Sequence, residues 1–273
     1  MTTQKKPLLI VQHLSLVFGS ITAVDDLCFV APEGQITALV GPEGAGKTSV
    51  LNCLTGLCRP LTGRIELHAG RRAPFLLERM DHSRIARDAH VVRTFRNPRL
   101  FASMTVLDNI VVAQNGRFGT GKVISSVFGF PSRRRALEKA RHWLDRVGLS
   151  AEGARVAGEL SPALQRRVEI ARAIATAPRL ICMDEPANGL SKRETTQLAD
   201  ILRGIAGDGI ALLVTAQDFR FAEMLAGHII ALDHGACVAA GSPSQLSGHP
   251  AVLRAYLGLP PGGEIVPRMH VSC

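Results

Sequence analysis

The sequence predicts an α/β fold on a mainly parallel sheet, and three observations carry that reading. Ile36–Val40 is an unbroken run of β-branched and apolar residues, as in a strand covered on both faces, and it leads straight into a glycine-rich turn. Three more such runs, residues 180–183, 210–215 and 229–232, come late in the chain. Helix-length segments separate each from the next, and strands alternating with helices are the pattern of parallel pairing.

The remaining elements follow in order. Residues 8–18, rich in Leu, Val and Ile, turn at Gly19 into a second apolar stretch that ends at Val30, before Ala31-Pro32-Glu33-Gly34. The two read as strands of a small antiparallel layer. Residues 47–57 change to a helical pattern, and residues 63–67 alternate like an edge strand. A helical insertion then separates the two strand-bearing blocks. Thr105 with Asp108 makes a capping-box-like start before Ile110, and Leu137, Ala140, Leu144 and Val147 keep helical spacing up to Gly148. Arg133-Arg134-Arg135 heads that second helix. It reads either as a solvated helix start or, since cations oppose the dipole there, as a cluster facing a phosphate or a partner. Residues 237–240 read as a strand, Gly241-Ser242-Pro243 opens a short C-terminal helix, and Pro260-Pro261-Gly262-Gly263 reads as a frayed tail.

Composition narrows the class. The chain has 273 residues, 46% of them apolar, enough for one large core or a core with a satellite, and neither disorder nor low complexity fits. The net charge of +9 favours an anionic partner: nucleotide, nucleic acid or phospholipid, or else only solubility. No apolar run reaches the roughly 18 residues that span a bilayer, so the chain is expected to be soluble or held to a membrane by a partner. Six scattered cysteines without metal-like spacing read as reduced residues of a cytosolic protein.

The strongest chemical signal is Gly41-Pro42-Glu43-Gly44-Ala45-Gly46-Lys47-Thr48, a complete GxxxxGK[ST] loop between a strand and a helix. Its glycines let successive N–H groups curl round phosphate oxygens, Lys47 reaches the outer phosphates, and the Thr48 hydroxyl faces Mg²⁺. Chance produces this pattern in a chain of this length on the order of once in a hundred. Glu43 is an oddity, a carboxylate inside an anion-binding loop. The second element is Leu180-Ile181-Cys182-Met183-Asp184-Glu185-Pro186. Alone, two acids after a strand are as often a helix cap as a site. Beside the loop they read as a nucleotide hydrolase's edge, with Asp184 holding Mg²⁺ and Glu185 polarising water.

With these motifs, Leu160-Ser161, Gln165-Arg166-Arg167-Val168-Glu169-Ile170-Ala171-Arg172 and Ala187-Asn188-Gly189-Leu190 resemble an ABC transporter ATP-binding subunit. Arg93-Thr94-Phe95, Leu100-Phe101, Met104-Thr105-Val106 and the Ala255-Tyr256-Leu257-Gly258 ending are similar to the LivG-type subunits of branched-chain amino-acid importers. The resemblance implies a P-loop NTPase (RecA-like) core within one domain spanning residues 1–273. Residues 8–95 would hold the β layer and phosphate loop, 96–160 the helical subdomain, 161–240 the signature helix and the rest of the core, and 241–273 a C-terminal extension.

It further implies ATP with Mg²⁺, held by Gly41, Gly44, Ala45, Gly46, Lys47, Thr48 and Ser49, with Thr48 and Asp184 on the metal and Glu185 catalytic. Phe18 matches the aromatic that stacks on adenine, and an ordinary core Phe is the equal alternative. Ser161, Pro162 and Ala163 would complete the ATP site of a second ATPase subunit, identical or LivF-like, in a head-to-tail dimer. That dimer would drive transmembrane permease subunits at the cytoplasmic face of the inner membrane, served indirectly by a periplasmic solute-binding protein and without nucleic acid.

Three positions depart from the family pattern. The glutamine that senses Mg²⁺ and the γ-phosphate falls at Arg96, a fixed cation that cannot ligate metal. The signature reads Leu160-Ser161-Pro162-Ala163-Leu164, which keeps a sound N-cap and N1 pair but loses an N–H and adds a methyl. The switch histidine falls at Gln217, which hydrogen-bonds but carries no imidazolium charge. Slowed hydrolysis is therefore expected, or a nucleotide-dependent clamp or regulatory partner in a heterodimer. ATPases serving DNA or the ribosome form a competing class. They usually carry a tandem second cassette, zinc-binding cysteines or long coiled coils, and none is present here. Arg71-Arg72 and residues 133–135 keep that class open.

Overall fold

Two sheets organise the chain in the computed structural model, which describes residues 6–70, 73–115 and 130–257. The elements run β1 (Pro7–Phe18), β2 (Ile21–Pro32), β3 (Ile36–Val40), α1 (Lys47–Leu54), β4 (Thr62–Leu67) and β5 (Phe75–Leu76). A single turn, α2 (His82–Arg84), continues as a π-type turn over Ile85–Ala89 into β6 (Val91–Thr94). Then come α3 (Val106–Asn115), α4 (Phe130–Arg146), α5 (Pro162–Ala175), β7 (Leu180–Met183), α6 (Lys192–Gly207), β8 (Ala211–Ala216) and α7 (Phe219–Leu225). β9 (His228–Asp233), β10 (Ala236–Gly241), α8 (Pro243–Leu246) and α9 (Pro250–Leu257) close the described chain.

The larger sheet has the order β10-β9-β3-β8-β7-β6, parallel throughout except for the antiparallel edge pair β9/β10. The smaller sheet, β2-β1-β4-β5, is antiparallel. Both predicted layers are present. The unbroken apolar runs have a direct cause, because the large sheet is covered on both faces. Ala38, Val40, Ile181 and Met183 point into the core under the helices. Leu39, Leu180 and Cys182 point into the core shared with the antiparallel layer and α1. Neighbouring residues of one strand thus enter opposite cores, and Thr37, the one polar residue of β3, is fully buried with them.

The helical insertion packs through its apolar stripe. Ile110 of α3 and Ala140 and Leu144 of α4 are buried in the same core as Val168 and Ile170 of α5. Thr105 caps α3, its Oγ1 accepting from the Asp108 N–H at 3.1 Å. Gly148, at φ 68°, follows α4 in the left-handed conformation that ends helices. Strand β6 has no counterpart among the predicted runs, because Arg93 and Thr94 interrupt its apolar pattern.

Among the described cysteines, Cys53, Cys58, Cys182 and Cys237 are free thiols. Arg71-Arg72, the Arg133 side chain, Gly258 and residues 260–263 lie outside what is described.

Candidate functional site

Parallel strands deliver the site to one edge of the large sheet. The register pairs Val40 with Ala216 and Met183 with Val214, so the residues after β3, β7 and β8 emerge together at the carboxyl ends. In open α/β sheets that is where ligands bind. β6 pairs with β7 through Thr94 and Met183, which brings the Phe95-Arg96 segment to the same edge.

The loop after β3 curls as its glycines allow. Gly46 stands at φ 94°, and a Cβ there would meet the Ala23 carbonyl oxygen at 2.3 Å. At Gly41 a Cβ would meet the Leu232 carbonyl oxygen at 2.2 Å. Any other residue at either point would displace the backbone. Helix α1 begins at Lys47, so the N–H groups of its first turn face the loop. Ala45 is buried, Ser49 lies half-buried in the first turn, and the Glu43 side chain is 84% exposed. Lys47 is buried, and its Nζ donates to the Gly41 carbonyl at 2.8 Å and the Pro42 carbonyl at 2.7 Å. Burial lowers its pKa below the ordinary lysine value, while the Glu185 and Asp184 carboxylates pull the other way.

Asp184 and Glu185 face this loop. Thr48 Oγ1 donates to Asp184 Oδ1 at 3.1 Å, joining positions 136 residues apart. Thr215 Oγ1 donates to the same oxygen at 3.1 Å and accepts the Glu185 N–H at 2.9 Å. The other oxygen, Oδ2, accepts from Arg93 at 2.8 Å. Arg93 also donates to Asn52 Oδ1 on α1. Glu185 is held at φ 44°, a backbone conformation uncommon outside glycine and found at functional sites.

Three donors surround the Glu185 carboxylate. Gln217 Nε2 donates to Oε1 at 3.0 Å, Lys47 Nζ lies 3.9 Å from the same oxygen, and Arg96 Nε lies 3.5 Å from Oε2. Arg96 also reaches back to Glu43, with Nη1 3.9 Å from Oε1. A cleft of about 540 Å³ opens beside Glu185 and Gln217, walled by Asn188, Lys192 and Arg220.

Thr48 and Asp184 fit Mg²⁺. Their oxygens, at 3.1 Å, stand close to the spacing of about 2.9 Å between neighbouring ligands of an octahedral magnesium ion. Among the described residues no group of three or more His, Cys, Asp or Glu could hold a metal ion. A cation here would complete its shell with water and phosphate oxygens, as magnesium does.

The other expected residues make no hydrogen bond or ion pair with this cluster among the described residues. Ser161 caps α5, its Oγ accepting the Leu164 N–H at 3.5 Å, and Pro162 takes the first helical position. Ser161 and Pro162 are exposed and Ala163 is buried. Among the described residues no hydrogen bond or ion pair ties these three to the loop. Leu164 packs against the core, which gives the apolar replacement a structural use. Phe18 is 49% exposed at the β1–β2 turn, which removes the alternative of a core phenylalanine.

Sequence reasoning missed the roles of Arg93, quoted only as motif, and of Asn52 and Thr215. A charged residue inside a short β-branched run was the available signal for Arg93. Thr215 ends an apolar strand and looked like ordinary strand filling. The pair Arg166 and Glu169 was quoted only as motif, yet it is buried and bonded at 2.7 Å. The Glu169 carboxylate also accepts the Phe95 N–H at 3.1 Å, and Arg166 donates to the Phe95 and Arg96 carbonyls. Helix α5 therefore fixes the backbone that carries Arg96.

This edge, with its phosphate-type loop set against two acids, defines a nucleotide-binding cassette. The chain belongs to the ABC transporter family, whose model matches residues 24–188. It is 38% identical over 258 residues to the high-affinity branched-chain amino acid transport ATP-binding protein BraF of Pseudomonas aeruginosa, covering 93% of this chain and 98% of that one. Identity and coverage are the same for the corresponding LivG protein of Escherichia coli. An ATP-binding cassette of an ABC transporter, crystallised in its ADP conformation, superposes with a TM-score of 0.80 at 25% identity, over 93% of this chain and all of that one. Among the described residues no helix is long and apolar enough to cross a membrane.

Proposed function

We propose that this chain is the ATP-binding subunit of an importer for a small solute, a branched-chain amino acid first among candidates. The observation that carries the reading is the Thr48–Asp184 hydrogen bond at 3.1 Å, which sets the loop and the acid pair against each other. The names of the 38% identical relatives support the solute class.

The residues divide the work by position. Triphosphate enters the N–H nest of residues 41–49, and the Lys47 ammonium turns from the Gly41 and Pro42 carbonyls to phosphate oxygens. Phe18 offers its exposed face to adenine. Magnesium, when bound by Thr48 and Asp184, neutralises charge on the outer phosphates. Glu185 accepts a proton from the attacking water, and Gln217 orients that carboxylate through Oε1. Ser161, Pro162 and Ala163 of one subunit cover the nucleotide of the other, in a dimer attached to transmembrane permease subunits at the cytoplasmic membrane face.

Hydrolysis is slow in this reading, because the Arg96 guanidinium engages Glu185 and Gln217 carries no imidazolium charge. The same contacts favour a second reading, a clamp in which nucleotide binding alone closes the dimer. Reconstitution with the permease subunits separates them. ATP-dependent leucine uptake with measurable phosphate release supports the importer; tight ATP binding with no phosphate release selects the clamp; uptake of unrelated solutes alone contradicts the solute class. Arg96→Gln with Gln217→His should raise turnover, and an unchanged rate contradicts the slowed site.

A further inference from the structure

A cavity of about 280 Å³ lies at the border of the large sheet, between β6, the edge strand, and the second half of α5, with Ala113 of α3 also in its wall. Three of its lining residues carry a buried polar atom without a hydrogen-bond partner: Arg93 Nε, Thr94 Oγ1 and Arg172 Nε. Only two further side-chain atoms of the described residues share that state, so these atoms gather at one place. Buried polar groups of a native fold are ordinarily paired, and three exceptions in one cavity form a set of donors aimed at a ligand. Thr94 is 1% exposed and the Arg93 side chain 3%.

The charge of this lining is one-sided. Arg93 is balanced by Asp184, and the one carboxylate in the wall, Glu169, is engaged on both oxygens: Oε1 accepts the Phe95 N–H at 3.1 Å and Oε2 accepts from Arg166 at 2.7 Å. Arg99 and Arg172 form no ion pair among the described residues. Each lies over a ring, Arg99 4.1 Å from the Phe95 centroid and Arg172 5.0 Å from that of Phe101, which fixes its plane and turns its N–H edge to an acceptor. Arg172 Nη1 donates to the Arg99 carbonyl, which ties the two segments together. Burial lowers the Arg172 pKa below the ordinary arginine value, and Glu169 offsets this only in part. From this lining we propose that the cavity is a second anion site, which takes a small oxyanion such as inorganic phosphate on the Thr94 hydroxyl and the Arg93 and Arg172 N–H groups. An anion there joins β6 to α5, the elements that position the Phe95-Arg96 segment. The inference is independent of nucleotide binding and holds whether or not the loop at residues 41–49 takes ATP.

Thermal unfolding of the full chain against inorganic phosphate, at an ionic strength held constant with chloride, tests this. Phosphate also fits the nest at residues 41–49, so the titration is run in Lys47→Met, and again with Thr94→Val or Arg172→Gln added. The Lys47→Met midpoint should rise with phosphate, as binding to the folded state requires. Adding Thr94→Val or Arg172→Gln should raise the phosphate needed for a given shift about tenfold or more, the worth of one charge-assisted hydrogen bond. Without phosphate, Thr94→Val should unfold at its parent's midpoint or above it, because a buried hydroxyl with no partner costs stability. That readout separates a hydroxyl kept for a ligand from one that the fold uses, and a lower midpoint overturns the assignment. Equal phosphate dependence with and without the Thr94 hydroxyl, as a non-specific salt effect gives, overturns the site. So does the absence of any rise in Lys47→Met, even where wild type responds, since the nest alone then takes the phosphate.

Discussion

Arg93 donates to Asp184 Oδ2 at 2.8 Å, with the two side chains 3% and 9% exposed. The acid facing the phosphate loop therefore has a fixed cation on one oxygen and two hydroxyls, Thr48 and Thr215, on the other. Arg93→Leu leaves a buried carboxylate without its counter-charge. The expected loss is about 3–5 kcal/mol in denaturant unfolding. Adding Asp184→Asn to that variant should recover part of it; equal stability of wild type and Arg93→Leu would contradict the pairing.

Thr215→Val keeps the shape of β8 and removes the hydroxyl that serves the Glu185 N–H and Asp184 Oδ1. A buried N–H left without an acceptor costs about 1–3 kcal/mol. Chemical unfolding should show that loss, and ATPase activity in the assembled transporter should fall with it, since Glu185 loses its backbone anchor. A variant as stable and active as wild type would show that the hydroxyl holds neither acid.

Lys47 gives the alkaline limit of nucleotide binding. Burial lowers its pKa, so the ammonium gives up its proton at a lower pH than an exposed lysine does. The group is charged below that point and neutral above it. ATP affinity should therefore decline as pH rises through the range below the ordinary lysine value. The nucleotide-free fold responds with the opposite sign: across that window the unfolded chain holds more protons, so this residue's contribution to stability rises with pH. Titrations of ATP affinity and of unfolding free energy against pH, for wild type and Lys47→Met, measure both slopes. A flat affinity profile contradicts the role given to the ammonium.

Burial pushes the Cys53 and Cys182 thiols up to about 12. Neither forms appreciable thiolate at mildly alkaline pH, so both should resist a maleimide in the folded chain and react on unfolding. Mass spectrometry after labelling reads the outcome, and rapid native labelling at either position would contradict the packing of α1 or β7.

Much of the fold was legible because its strands are covered on both faces. The runs at 180–183 and 229–232 are wholly apolar, that at 36–40 contains only the β-branched Thr37 besides apolar residues, and the phosphate-type loop fixes which of them leads into a helix. Strand β6 was not legible, since it is short and carries Arg93, whose burial depends on Asp184 at a distance of 91 positions in the chain. The positions of Asp184 and Glu185 after an apolar strand were read directly. Their supports, Thr215 and Asn52, were not, because a threonine at a strand end and an asparagine in a helix have ordinary local reasons to be there. Glu43 and Arg96 were each recognised as odd. Their proximity needed the register of β6 on β7 and the clamp from Arg166, neither of which has a local pattern.

The most direct test of the central claim is ATP affinity of the full chain with and without the Lys47 ammonium. Lys47→Met keeps most of the side-chain volume while removing the charge. The account predicts saturable ATP binding by wild type, and a loss of about a hundredfold or more in Lys47→Met at unchanged secondary structure. Equal ATP affinity in the two proteins would contradict it.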